Sequence, residues 1–123
     1  MEFKDNIPIY LQIEQYLYRQ IVQGQLPAGT KLPSVRRLAV DLTVNVNTVQ
    51  RALQQMNANG ILITKRGEGN FVTEDEALLA KTKQHLLDVE LQHFTEQMRQ
   101  LGVKRDHLVE ILTHYLEEYT DDR

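Results

Sequence analysis

"LPSVRRLAVDLTVNVNTVQRAL", Leu32 to Leu53, holds two short amphipathic runs parted by a break at Thr43. Ser34 is a helix-capping residue, because its hydroxyl can accept from an otherwise unpaired amide of the first turn. Val35, Leu38, Ala39 and Leu42 follow it on one helical face. After Thr43 and Val44, Asn45 can cap a second helix with Val46, Val49, Ala52, Leu53 and Met56 as its inward face, ending at Asn59-Gly60. Two helices this short, joined by so tight a turn, predict a helix-turn-helix.

On a helical wheel with Val49 at the centre of the buried side, Asn47, Arg51 and Gln54 fall opposite, flanked by Thr48 and Gln50. These amide, hydroxyl and guanidinium groups suit base edges, since Asn and Gln can pair with adenine and Arg with guanine. Every surface helix has a polar side, so the wheel alone leaves a merely solvated face equally open.

Working outward, "PIYLQIEQYLYRQIVQG" predicts a helix with Pro8 at its first position and Gly24 as a left-handed stop, burying Ile9, Ile13, Tyr16, Leu17 and Ile21. "QLPAGTKLP" is broken by Pro27, Gly29 and Pro33, leaving a turn and a short strand at Thr30 to Leu32. Downstream, "ILITKRGEGNFV" supplies two β-prone runs, 62–66 and 70–73, joined across Gly67-Glu68-Gly69 as a hairpin. Lys65 and Arg66 precede its tip, which makes the hairpin a wing placed to reach phosphates or the minor groove. No helix follows the Gly-x-Gly, which argues against a dinucleotide-binding loop.

"GQLPAGTKLPSVRRLAVDLTVNVNTVQRALQQMNANGILITKRGEGNFV" resembles the DNA-binding domain of GntR-type bacterial transcription regulators. It has their Gly-x-Leu-x-x-Gly-x-x-Leu-Pro-Ser-x-Arg start, Asn-Thr-Val core and Gly-x-Gly-x-Phe-Val wing. The resemblance covers residues 8–73, and the leading "PIYLQI" and short tail are similar to the YtrA-like branch. It implies a double-stranded DNA operator as partner, contacted by Ser34, Arg36, Asn45, Asn47, Thr48, Gln50 and the wing around Gly67 and Gly69. The wheel and the charge add Arg51, Lys65 and Arg66, while Arg37 reads as a solvated side chain. Thr43 stands where the family usually has Gly, which predicts a less comfortable backbone there. Val46 stands where many members have Arg and the YtrA-like branch commonly has Pro, and Gln50 replaces a frequent Arg, which predicts adenine reading by Asn and Gln and thymine-methyl contact from Val46.

From Glu74 a long helix is predicted to run to Leu101, with Leu87, Leu91, Phe94, Met98 and Leu101 forming a heptad seam. Gly102 stops it. Asp106 can cap a second helix with Leu108, Ile111, Leu112, Tyr115, Leu116 and Tyr119 on one side. A lone hairpin cannot shield that much apolar surface, so the seam predicts a homodimer. The alternative is packing on the winged domain alone. The expected fold is mainly α with a small β-hairpin wing (α+β): a winged helix-turn-helix over 1–75, then a two-helix dimerisation hairpin over 76–123.

Charge divides in the same way. Residues 1–73 carry eight Lys/Arg against five Asp/Glu, net +3, and residues 74–123 carry six against twelve, net −6. A basic first part suits nucleic acid even though the whole chain is −3. No apolar run reaches the roughly 18 residues of a membrane span, and charged Glu2, Lys4 and Asp5 oppose a signal peptide, so the expected location is cytoplasmic. The chain has no Cys, which excludes thiolate catalysis and Cys-ligated zinc.

His85, His93, His107 and His114 are not spaced as metal ligands, and no nucleophile motif is present, so no enzyme, metal or cofactor is expected. Through the resemblance, the expected function is a dimeric repressor of a nearby transport or efflux operon, reading a palindromic operator. The tail is too short for a separate ligand-binding domain. A small-molecule effector, if one exists, therefore has the dimer seam or the seam's junction with the winged domain as its place. The rival reading is a non-enzymatic protein-interaction module on a winged-helix scaffold.

Overall fold

A computed structural model describes residues Met1–Tyr119. The elements run α1 (Ile9–Val22), α2 (Val35–Leu42), α3 (Val46–Ala58), β1 (Leu62–Lys65), β2 (Gly69–Val72), α4 (Glu76–Gln100) and α5 (Arg105–Glu118). They group into two compact units divided inside α4, Met1–Thr82 and Lys83 onward. The architecture is mainly α with a small β wing.

The first unit is a three-helix core with the hairpin against it. Ile13, Leu17 and Ile21 of α1, Leu38, Ala39 and Leu42 of α2, and Val49, Ala52, Leu53 and Met56 of α3 meet with Ile61, Leu62 and Val72 in one buried cluster. Leu78 and Leu79 pack against it from the start of α4, which is why this unit continues past the wing. Ser34 Oγ accepts from the Arg37 amide at 3.1 Å, and Asn45 Oδ1 accepts from the Asn47 amide at 2.7 Å, so both helices of the motif carry side-chain N-caps.

Several boundaries differ from expectation. Pro8 is the N-cap residue of α1 and not its first helical residue, with φ −52° and ψ 136°. Ile9 is exposed, while Gln12 and Glu14 are buried in its stead. Gln12 spends its amide on the N-terminal arm, accepting from the Lys4 amide and donating to the Lys4 and Ile7 carbonyls at 2.8–2.9 Å. Val46 is exposed at the start of α3 rather than inward, because the burial of that helix begins at Val49. α4 begins at Glu76 rather than Glu74, and Asp75 caps it, its carboxylate accepting from the Leu78 amide at 3.1 Å. Asp106 lies inside the first turn of α5, and Lys104 holds the cap position without a side-chain bond.

Four helices end with the same pair of bonds. In α1, α3 and α4 the closing left-handed residue is Gly24, Gly60 or Gly102. In α2 that place belongs to Thr43, φ 56° and ψ 52°, the one non-glycine among the described residues with positive φ. Its amide donates to the Val40 carbonyl and the Val44 amide to the Ala39 carbonyl at 3.0–3.2 Å, the reciprocal closure of a Schellman turn.

β1 and β2 pair antiparallel with Lys65 opposite Gly69. Lys31 adds a single bridge to Phe71, and the bonds Leu32 to Asn70 and Val72 to Thr30, both 2.8 Å, tie the preceding loop to β2. In the second unit, the rest of α4 turns at Gly102 into α5, which contacts α4 only sparsely. No residue of α4 or α5 is buried.

Candidate nucleic-acid interface

The N-terminal end of α3 presents a polar surface. Asn45, Asn47 and Gln50 are exposed and Thr48 is half-buried. Asn45 already uses its Oδ1 in the cap, leaving its NH₂ as the free group. Ser34 is in the same position: its oxygen accepts from Arg37, so its hydroxyl proton remains available to an acceptor. Val46 stands among these groups 37% exposed and supplies the apolar point of the surface.

The cations of α2 divide their labour. Arg37 pairs with Asp41 one turn on, at 3.2 Å and well exposed, whereas the Arg36 side chain is exposed with no partner among the described residues. Arg51, on the outer side of α3, reaches toward α1 and stacks on Tyr10, its guanidinium carbon 3.9 Å from the ring centroid. Gln54 lies exposed one turn beyond Gln50 and two beyond Asn47 on the same helix.

The wing carries its charge at the turn. Lys65 ends β1 with its ammonium 4.4 Å over the Phe71 ring, and Arg66 sits in the turn, not in the strand as the sequence predicts. Gly67 and Gly69 have φ of +77° and +121°, backbone that a side chain rarely adopts. A Cβ built on Gly69 would lie 3.0 Å from Lys31 Cε, so the Lys31 side chain runs across the wing beside its tip. Lys31, Lys65 and Arg66 therefore gather at one end of the hairpin. Sequence reasoning missed Lys31. The predicted strand at Thr30 to Leu32 was its only signal, and that strand's pairing with Phe71 is not local.

A second missed feature joins the reading helix to the wing. Asn57, late in α3, donates to Thr64 Oγ1 and to Asn70 Oδ1, the latter at 3.3 Å, and Thr64 Oγ1 bonds Asn70 Oδ1 at 2.7 Å. Thr64 and Asn70 are opposite one another in the hairpin, so a single amide holds both strands against the helix. Of the residues predicted from sequence, the cap and reading groups from Asn45 to Arg51 share α3 and its N-cap. The wing residues Lys65, Arg66, Gly67 and Gly69 share the hairpin end. Ser34 and Arg36 lie together at the start of α2. Among the described residues no group of acidic, histidine or cysteine side chains could hold a metal, and no helix is long and apolar enough to cross a membrane.

Comparison with known proteins places this arrangement. Residues 9–72 match the family model described as "Bacterial regulatory proteins, gntR family". The uncharacterized HTH-type transcriptional regulator YhcF of Bacillus subtilis is 36% identical over 116 residues, 94% of this chain and 96% of that protein. The HTH-type transcriptional repressor YtrA of the same organism is 37% identical over 98 residues, 80% of this chain and 71% of that one. Among solved structures, a GntR family transcriptional regulator from Listeria monocytogenes superposes with a TM-score of 0.85 at 35% identity, covering 91% of this chain and 98% of its own. The structure of AraR(DBD) in complex with operator ORR3 aligns with a TM-score of 0.54 at 27% identity, over 59% of this chain and 86% of that one.

Proposed function

We propose, from the premise that this chain belongs to the gntR family of bacterial regulatory proteins and is a DNA-binding transcription regulator, that it acts as a homodimeric repressor of a two-fold symmetric operator. The observation that carries this reading is the hydrogen-bonded union of a capped, polar-faced α3 with a cation-tipped wing. In this reading α3 enters the major groove with Asn45, Asn47, Thr48 and Gln50 toward base edges and Val46 toward a thymine methyl. Ser34, Arg36, the backbone at Gly67 and Gly69, and the cations Lys31, Lys65 and Arg66 take phosphates. AraR(DBD), similar in fold over the winged unit, is in complex with an operator, which supports duplex DNA as the partner.

Dimerisation is inferred from the second unit. Leu87, Leu91, Phe94, Leu101, Ile111, Leu112, Tyr115 and Leu116 are all exposed, and Met98 and Leu108 only half-buried, because α5 barely packs on α4. Covering about five large side chains per helix at roughly 1.5–3 kcal/mol each gives a gross term on the order of ten kcal/mol or more per chain, against which ordering entropy is set. A second copy supplies the matching surface and also the second reading helix a palindrome requires. Repression is the role we assign, by likeness to the repressor YtrA, and the family resemblance suggests a nearby transport or efflux operon as its target.

The test is selection of a preferred duplex by the purified protein, then titration against that duplex and a scrambled one at rising salt. Preference for the selected site, with affinity falling steeply as salt rises, is expected. Gln50→Ala should relax preference at one base position, whereas Lys65→Ala and Arg66→Ala should weaken both duplexes alike and flatten the salt slope. Equal indifference of the wild type to both duplexes would overturn the reading in favour of a protein-docking module.

A further inference from the structure

Arg51 is held differently from the other cations of the helix-turn-helix. Arg37 is neutralised by Asp41, and Arg36 projects without a partner among the described residues. Arg51 lies over an aromatic ring instead, its guanidinium carbon 3.9 Å from the centroid of Tyr10. A ring satisfies the face of a guanidinium and leaves its in-plane N–H donors, all pointing outward along the edges, unused. Its charge is likewise not cancelled.

The ring is a firm platform. Tyr10 is in the first turn of α1, half-buried and packed against the core cluster, and α1 is the main helical neighbour of α3. Arg51 itself is exposed. On the wheel it stands opposite the buried centre, displaced from Asn47 and Gln54 toward the side on which α1 lies. An arginine at the flank of a reading helix, turned aside from the base-reading groups, meets the sugar-phosphate backbone rather than the base edges.

We infer that Tyr10 is a positioning residue for DNA binding, its ring presetting the Arg51 guanidinium as a planar donor for a duplex phosphate beside α3. This rests on the DNA-binding reading above. A free arginine must give up rotamer freedom when it binds. One already stacked has given up part of it in the folded protein, and its planar edge matches the two oxygens of a phosphate.

The experiment is a double-mutant cycle in the full chain, read as affinity for the selected duplex and for a scrambled duplex across salt, with thermal melting as the folding control. Tyr10→Phe keeps the ring and is expected to bind as the wild type does. Tyr10→Leu should weaken both duplexes by about two- to five-fold with the salt slope retained, because the charge is still present. Arg51→Ala should weaken both and lower the slope by about one. The double variant Tyr10→Leu/Arg51→Ala should bind no worse than Arg51→Ala alone.

Independent losses that simply add would overturn the inference, as would Tyr10→Phe behaving like Tyr10→Leu, or Tyr10→Leu binding tighter than wild type. In the free protein, the NMR resonance of Arg51 Hε should move downfield in Tyr10→Leu as the ring current is lost, a readout independent of DNA. An unmoved resonance would show that the stack does not form. Wild-type protein that binds no duplex sinks the functional reading itself, whereas a binding wild type with additive losses sinks only the role of Tyr10.

Discussion

Thr43 shows how one residue can sit against its own preference. It closes α2 in the left-handed conformation that glycine takes at the ends of α1, α3 and α4, and its branched Cβ makes that conformation costly. Thr43→Gly should stabilise the protein by roughly 0.5–1 kcal/mol, the strain relieved less the added freedom of the unfolded chain, measured by urea unfolding. A loss of stability would mean the threonine side chain contributes more than the strain removes. Glu14 is a second case. It is buried in α1 near Tyr18, and desolvation raises its pKa above the usual carboxylate value. The folded state therefore holds this proton more tightly than the unfolded chain, so stability at this site falls as pH rises from the carboxylate range through the raised folded value. Glu14→Gln is expected to raise the melting temperature at neutral pH, with the gain shrinking on acidification toward the unfolded pKa. A gain independent of pH would remove the charge from the explanation.

At the scale of the elements, caps and stripes were legible and junctions were not. Ser34 and Asn45 bond the amides their positions predict, and Gly24, Gly60 and Gly102 stop their helices. Each of these devices acts within a turn of its own residue. The latch of Asn57 with Thr64 and Asn70 gives no such local sign, for it depends on how α3 lies across the hairpin. Asn57→Ala should leave the melting temperature nearly unchanged, since the group is only half-buried. It should also weaken DNA binding several-fold on every sequence, because the wing is no longer held to the reading helix. Binding unchanged within error would show that packing alone orients the wing. The misplaced cap at Asp106 has the same origin. The Schellman turn at Gly102 fixes where α5 can begin, and it leaves Asp106 two residues too far in to serve as the cap.

For the whole molecule, the apolar stripes of α4 and α5 are the feature a single chain leaves unresolved, with Leu91 59% and Leu101 75% exposed. Replacing Leu91 or Phe94 by Glu places a charge in the seam. The expected outcome is a shift from dimer to monomer by analytical ultracentrifugation, with the winged unit still folded by circular dichroism. DNA affinity should drop far more than in any single phosphate-contact variant, because one reading helix is lost entirely. A dimer that survives both substitutions would place the interface elsewhere. The division of charge, +3 before residue 74 and −6 after it by side-chain count, confines the attraction for a polyanion to the first part of the chain.

The sequence by itself determined the helices, their caps, the hairpin and the family resemblance, because periodicity, capping and turn chemistry act over a few residues and are written in consecutive letters. Only the tertiary structure decided that Arg51 lies on Tyr10, that Lys31 joins Lys65 and Arg66 at the wing, and that α5 leaves the stripe of α4 uncovered. Those outcomes depend on how the three core helices and the hairpin pack across long stretches of chain, and packing of that kind is set by the whole buried cluster rather than by any local pattern.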